Sequence, residues 1–275
     1  MRAGDFAVRE PRFHNNGEVH LWRQLSSMAP HRALVRAVES WLLADVKREA
    51  PVLDLGCGEG HFAGLAFDPR PDVAIDLAVD AVAEASGRHQ YGAVVCGDAR
   101  RLPFGNEVFG SVVSNSALEH VDGVDAALRE AWRVLRRGGA LVATTPTDRF
   151  ENELLGCAIA RGLHLSGVAA AYGRFFSRIS RHHHAEEPRL WRERLGRAGF
   201  EVVRHATYFP PSALHAFDLC HYLSVPFLLA QRTIGTWVLH PLQTDVFFRW
   251  LRRHVREGPE HPDGVYQLVV CRRAG

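Results

Sequence analysis

Residues 51 to 60 read Pro51-Val52-Leu53-Asp54-Leu55-Gly56-Cys57-Gly58-Glu59-Gly60. A short apolar run, consistent with a buried strand, stops at an acid and three glycines spaced two apart. A strand that ends in such a turn lets a ligand lie against backbone, because no Cβ stands in the way. Helix-leaning sequence follows, so the turn falls at the carboxyl end of a strand, where open α/β sheets place their ligands. The glycine pattern is G-x-G-x-G. A dinucleotide fingerprint would be G-x-G-x-x-G, and position 61 is His61.

Working outward, residues 18 to 49 carry Leu34, Val35, Val38, Trp41, Leu42 and Val46 at near-helical spacing, with Pro30 as a breakpoint. Downstream, strands are predicted at 72 to 77, 91 to 96, 108 to 114 and 141 to 145, with helices at 79 to 88 and 123 to 137. Gly138-Gly139 reads as the stop of the second helix. Strands alternating with helices of these lengths imply a parallel, doubly wound sheet. Beyond Pro146 the rhythm changes. Residues 150 to 180 read as mostly helical, 186 to 198 as an amphipathic helix ended by Gly199, and 200 to 204 and 265 to 271 as two last strands. This makes an α/β protein with a seven-stranded, mostly parallel sheet. The expected division is an N-terminal helical cap (1–49), a core (50–204 and 265–275) and an inserted lid (205–264), with 150–185 contributing to the lid.

The string Asp54-Leu55-Gly56-Cys57-Gly58-Glu59-Gly60 resembles motif I of the class I S-adenosylmethionine (SAM) dependent methyltransferases, of the UbiE-like small-molecule type. Gly97-Asp98-Ala99-Arg100-Arg101-Leu102-Pro103-Phe104 resembles that family's G-D-A-x-x-L-P-F signature. Phe109 to Val121 resembles its fourth strand and following turn, and Glu130 to Gly139 the helix and double glycine before its fifth strand. The resemblance implies a Rossmann-like methyltransferase fold that binds SAM and releases S-adenosylhomocysteine. It places the cofactor on Asp54, Gly56, Cys57, Gly58 and Gly60. Asp76, 20 residues after Gly56, would accept from the ribose hydroxyls beside Leu77, with Asp80 as the nearby rival. Asp98 and the amide of Ala99 would read the adenine, and Ser114 and Asn115 would line the methionine end. Where the family usually has an Asp before the fourth-strand valines, this chain has Gly110-Ser111.

Methyl transfer needs a nucleophile held in line with an activated carbon, and positioning supplies much of the rate. A hydroxyl or carbon acid also needs a base, commonly His near neutral pH. His120, after the fourth strand, is the first candidate, and packing or capping explains it equally well. His183, within Arg181-His182-His183-His184, is the second. Three successive histidines of an extended segment cannot share one pocket. No acid or Cys cluster at ligand spacing accompanies them, so no metal is expected. The residues after the fourth strand, Asn115-Ser116-Ala117-Leu118, lack the N-P-P-Y pattern of base-amine methylation. The aromatic residues of 205 to 264 exceed what a free loop carries. As a set, Tyr172, Phe175, Tyr208, Phe209, His215 and Tyr222 suggest an apolar or aromatic small-molecule substrate, such as a secondary metabolite or lipid-linked intermediate. A dimer interface or extra core explains any one of them as well. The competing functions are a non-catalytic SAM-binding module and a nicotinamide-dependent oxidoreductase.

The 275 residues suffice for a full core, and 47% apolar content is ordinary for a globular chain. A formal net charge of +2 gives no strong field for nucleic acid. Lys47 is the sole Lys. Five cysteines without a C-x-x-C pair argue against a disulfide framework or zinc knuckle and for a reducing compartment. With no signal-like apolar segment, a cytoplasmic location is expected. No apolar run approaches the ~20 residues that span a bilayer. Leu219 to Ala230 is apolar enough to touch a membrane surface, and a homodimer stays open.

Overall fold

The structure, a computed structural model, describes residues 11–238 and 240–275. Seven strands form one sheet: β1 (Val52–Leu55), β2 (Val73–Asp76), β3 (Ala93–Cys96), β4 (Phe109–Asn115), β5 (Leu135–Pro146), β6 (Phe200–Tyr208) and β7 (Tyr266–Arg273). Their order is β3-β2-β1-β4-β5-β7-β6. The first five pair in parallel, and β7 runs antiparallel between β5 and β6. Connections leave β1 toward β2 and later return to β4, so the order reverses between β1 and β4. Open sheets place their ligands at the carboxyl side of that reversal.

The flanking helices are α1 (Asn16–Leu25), α2 (Pro30–Ala44), α3 (His61–Ala66), α4 (Val79–Gly87), α5 (Val124–Val134), α6 (Arg149–Asn152), α7 (Leu155–Gly162), α8 (Ser166–Ser180), α9 (Pro188–Arg197), α10 (Pro211–Leu223), α11 (Val225–Ile234) and α12 (Pro241–Leu251). Pro30 stands at the start of α2, where its missing N–H costs nothing. Alternation along the strands divides the core. Val113 and Val142 face the cluster built with α1, α2 and α10, while Val112, Leu141 and Ala143 face the cluster built with α5 and α9.

Several boundaries differ from the sequence expectation, β5 starting at Leu135 instead of 141 among them. Helix α5 stops at Val134 rather than 137, because Leu135 already pairs with Phe109. The double glycine therefore serves the strand. A Cβ on Gly139 would meet the carbonyl oxygen of Gly110 at 3.0 Å, and Gly138 sits at φ +72°. Strand β6 continues to Tyr208, past the expected end at 204, because β7 pairs with it along that whole length. Gly110 and Ser111 prove structural: a Cβ on Gly110 would strike the Glu49 carbonyl at 2.5 Å, and Ser111 Oγ accepts from Glu49 N at 2.8 Å.

The segment after β6 is not a loose flap. Phe209, Phe217 and Phe248 are buried, and Phe217 meets Phe209, Phe150 and Phe176 edge to face. These rings join the same core as α1 and α2. The other side of α10 and α11 leaves Leu219, Tyr222, Leu223, Val225 and Leu229 exposed. No single described helix is long and apolar enough to cross a membrane; α10 and α11 together reach that length only with a 51° bend between them.

Candidate active site

The glycine turn after β1 is tied to the end of β2 by main-chain bonds. Gly56 and Cys57 donate to the Ile75 carbonyl at 2.8 and 3.2 Å. Gly58 N donates to Asp76 Oδ2 at 2.8 Å, and Ala78 N to Asp76 Oδ1 at 2.9 Å. The three glycines take φ of +81°, +53° and +74°, a region that side chains disfavour. Their surroundings differ. A Cβ on Gly56 would collide with Ala117 at 2.4 Å, so this glycine lets β1 and the turn after β4 approach. At Gly58 nothing lies within 4 Å, so a side chain there would project into open space. Gly60 faces Ala85 and Tyr91 at 3.1 Å, behind the turn. Gly60 thus serves the packing of α3 on α4 and does not line the cleft expected of it.

A cleft of about 790 Å³ opens above this turn. Asp54, Gly56, Cys57, Gly58, Asp76, Leu77, Asp98, Ala99, Ser114, Asn115, His120 and His183 all line it. The size suits a small-molecule ligand. Leu77 is 67% exposed, an apolar side chain laid bare beside the acid, which suits a flat ring. The Asp76 carboxylate retains lone pairs beyond its two amide partners. Open space at Gly58, an acid at the end of β2 and an exposed Leu77 together fit the amino-acid end, ribose and adenine of SAM.

Four expected contacts are altered by their neighbours. Asp54 is 5% exposed and accepts the Tyr91 hydroxyl at 2.7 Å. Burial, with Asp76 adding, pushes its carboxyl up to about 6 against the pull of that hydroxyl. Asp98 is gripped by the Arg100 guanidinium at 2.7 to 3.0 Å, which holds its carboxyl below the usual range. Ser114 Oγ donates to the Leu55 carbonyl, and Asn115 uses both ends of its amide internally, toward Glu39 and Thr144. These two shape the floor, and their polar atoms are spent on it. Burial pushes the Cys57 thiol far up, so it packs and does not attack.

The second wall comes from α2 and from the loop between α8 and α9. Arg32 and Arg36 line the cleft from α2, with Arg181 and His183 opposite. Beneath them Glu39, fully buried, accepts from Arg36 at 2.7 Å, Asn115 at 3.0 Å, Ser116 at 2.6 Å and Tyr208 at 3.1 Å. The apolar stripe of α2 drew attention away from these polar positions. The i, i+4 pair Arg32 and Arg36 was the available signal.

His120 follows β4 in a single 3-10 turn, Leu118–His120. Its Nδ1 lies 2.9 Å from the Arg181 carbonyl. A carbonyl only accepts, so Nδ1 carries the hydrogen and Nε2 holds the lone pair. Burial lowers the affinity of His120 for a second proton. His183 is exposed, and its main-chain N–H donates to the Glu119 carbonyl at 2.8 Å. Arg194 grips Glu186 and Asp125 at 2.8 Å and so locks the histidine loop to α5.

The six residues expected to hold substrate do not reach the cleft. Tyr208 and Phe209 are fully buried in the core. Tyr172 bonds to Asp218 at 2.6 Å and to Tyr222 at 2.8 Å, closing a polar group among α7, α8 and α10. Phe175 and Tyr222 are half exposed on the outer surface. His215 lies within α10, and like the other five it is not part of the cleft lining. Aromatic content signalled core packing at Tyr208 and Phe209 and outer-surface placement at Phe175 and Tyr222, with none of these rings turned toward the turn after β1.

Residues 53–143 match the family model described as a methyltransferase domain. The malonyl-[acyl-carrier protein] O-methyltransferase of Methylococcus capsulatus is 38% identical over 124 residues, which are 41% of this chain and 45% of that protein. The demethylmenaquinone methyltransferase of Beutenbergia cavernae is 41% identical over 105 residues, 36% and 44% of the two chains. The chain thus spans half or less of the length of the curated relatives it matches. Among solved structures, the [4+2]-cyclase SpnF covers 96% of this chain and 98% of its own, with a TM-score of 0.55 and 16% identity. A SAM-dependent methyltransferase of Thermotoga maritima covers 92% and 100%, with a TM-score of 0.51 and 16% identity. At such identities these neighbours share the fold, and a fold alone does not name a reaction.

Proposed function

We propose, for a chain whose residues 53–143 are a class I SAM-dependent methyltransferase domain, that it methylates an oxygen nucleophile of an acid-bearing small molecule or carrier-bound acyl group. One observation carries this reading: the cleft is acidic on one wall and basic on the other. Asp54, Asp76 and Asp98 stand at the strand ends, while Arg32, Arg36, His120, Arg181 and His183 stand on the facing elements. Bound SAM supplies a methyl carbon activated by a sulfonium.

The protein's own residues do the positioning. Asp76 and the glycine turn hold the ribose side, Leu77 meets the adenine, and Asp98 with Ala99 bounds it. Arg36, anchored by Glu39, and Arg181 draw an anion to the opposite wall, where opposite charges attract strongly in a partly dry site. A carboxylate acceptor arrives already ionised and needs no base. A hydroxyl acceptor would pass its proton to the His120 lone pair, held in place by the Arg181 carbonyl.

The relatives suggest the first acceptors to try. The purified chain is incubated with methyl-labelled SAM and, separately, with malonyl-loaded acyl-carrier protein, free dicarboxylic acids and demethylmenaquinone. Label in a base-labile methyl ester supports the acid reading. Label on the quinone alone would overturn it in favour of a carbon acceptor.

A further inference from the structure

Glu119 has no role in the proposed methyl transfer, yet it lies beneath the cleft wall. It is 1% exposed, and its Oε2 has no hydrogen-bond partner among the described residues. A buried carboxylate without a partner is costly unless positive charge meets it. Arg36 acts on it from a distance but is already paired with Glu39 at 2.7 Å. His120 turns its Nε2 toward Glu119 Oε1 at 3.9 Å. That nitrogen carries the lone pair, and it stands beyond hydrogen-bond reach of a carboxyl that burial pushes up to about 8. His182 Nδ1 is another buried atom without a partner. Its ring is held edge-on by Phe150 at 4.9 Å and lies 5.5 Å from the ring of His120.

We infer that Glu119, His120 and His182 form a site for a divalent first-row transition ion, Zn²⁺ in the first instance, with an open position facing the cleft. One ligand atom from each lies within 4.8 Å of the others. Metal bonds of about 2.1 Å would require the three side chains to close by roughly an ångström. Two imidazoles and one carboxylate with a free position are the ligand set of catalytic zinc and of non-haem iron. The bond from His120 Nδ1 to the Arg181 carbonyl is the outer contact that ligating imidazoles make. The frame is built as well: His183 N and His184 N both donate to the Glu119 carbonyl, and the Arg194 clamp holds the same loop. The three successive histidines lacked an acid in the sequence; the fold brings one to His182 from the turn after β4. With the ion bound, His120 would hold metal instead of accepting a proton. An acceptor oxygen at the open position would then be activated by the ion.

The site does not depend on the methyl-transfer reading, and its test needs no turnover. Chelator-treated full-length chain is titrated with Zn²⁺ by calorimetry, and with Co²⁺ by visible absorption. The expected result is one equivalent bound, with Co²⁺ bands of four- or five-coordinate geometry. His182→Ala should weaken binding by more than about a hundredfold, beyond the 10–100-fold that outer-shell losses cost. Glu119→Gln should do the same, and His183→Ala, outside the triad, should leave the affinity unchanged. Absence of stoichiometric binding, or binding that survives both His182→Ala and Glu119→Gln, would overturn the site.

Discussion

The Tyr91 hydroxyl donates to Asp54 Oδ2 at 2.7 Å, joining the strand that leads into the glycine turn to the residue just ahead of β3. The bond compensates only part of what burial costs the Asp54 carboxylate, which titrates at about 6 rather than 3.8. A folded-state value above the unfolded one means that the native protein holds this proton more tightly. The stabilisation is complete below pH 3.8 and is lost as pH rises through about 6. The shift corresponds to about 3 kcal/mol. Asp54→Asn keeps the acceptor for Tyr91 and removes the charge. Denaturant unfolding at pH 5 and pH 8 should show the variant gaining on the native protein at pH 8. An equal difference at both pH values would contradict the assignment.

Asp76 is the residue proposed to hold the cofactor's ribose, because one carboxylate shapes the turn through Gly58 N and Ala78 N and faces the cleft. Asp76→Ala should weaken SAM binding by about tenfold or more, the cost of a lost charged hydrogen-bond partner. Asp76→Asn, which keeps one acceptor oxygen, should fall between. An unchanged dissociation constant in the alanine variant would remove Asp76 from the site.

His120→Ala should abolish or strongly lower turnover of a hydroxyl acceptor, which needs a base, while SAM binding is kept. This holds whether the imidazole takes a proton or carries an ion, since both need the Nε2 lone pair that the bond from Nδ1 to the Arg181 carbonyl leaves free. Full activity on a hydroxyl acceptor would make His120 a packing residue.

Glu39 is the buried acceptor for four donors: Arg36, Asn115, Ser116 and Tyr208. Removing one partner of a buried charged pair typically costs about 3–5 kcal/mol. Glu39→Ala should lower unfolding stability by that order in urea, and Glu39→Gln by less. A loss within about 0.5 kcal/mol, the size of a surface change, would show that the network is not structural.

The sheet was legible because its strands are short apolar runs closed by Gly, Asp or Pro. Asp54, Asp76 and Asp98 stood at the ends of three of them, and each reaches the cleft. The second wall was not legible. Arg36 and Glu39 sit on a helix whose apolar repeat dominates its pattern, and the Glu39 partners Ser116 and Tyr208 come from the turn after β4 and the end of β6. The rings of α8 and α10 misled for a related reason: composition reports how much apolar surface a segment must bury, not which neighbour buries it. Glu119 and His182 meet only because the loop before α9 crosses the turn after β4, a contact without local signal.

The central claim is that the cleft over the glycine turn binds SAM, and calorimetric titration of the purified chain with SAM, S-adenosylhomocysteine and NAD tests it most directly. The account predicts one site for each of the first two, with affinity lost in Asp76→Ala, and no heat from NAD. Binding of NAD with none of SAM or S-adenosylhomocysteine would contradict it.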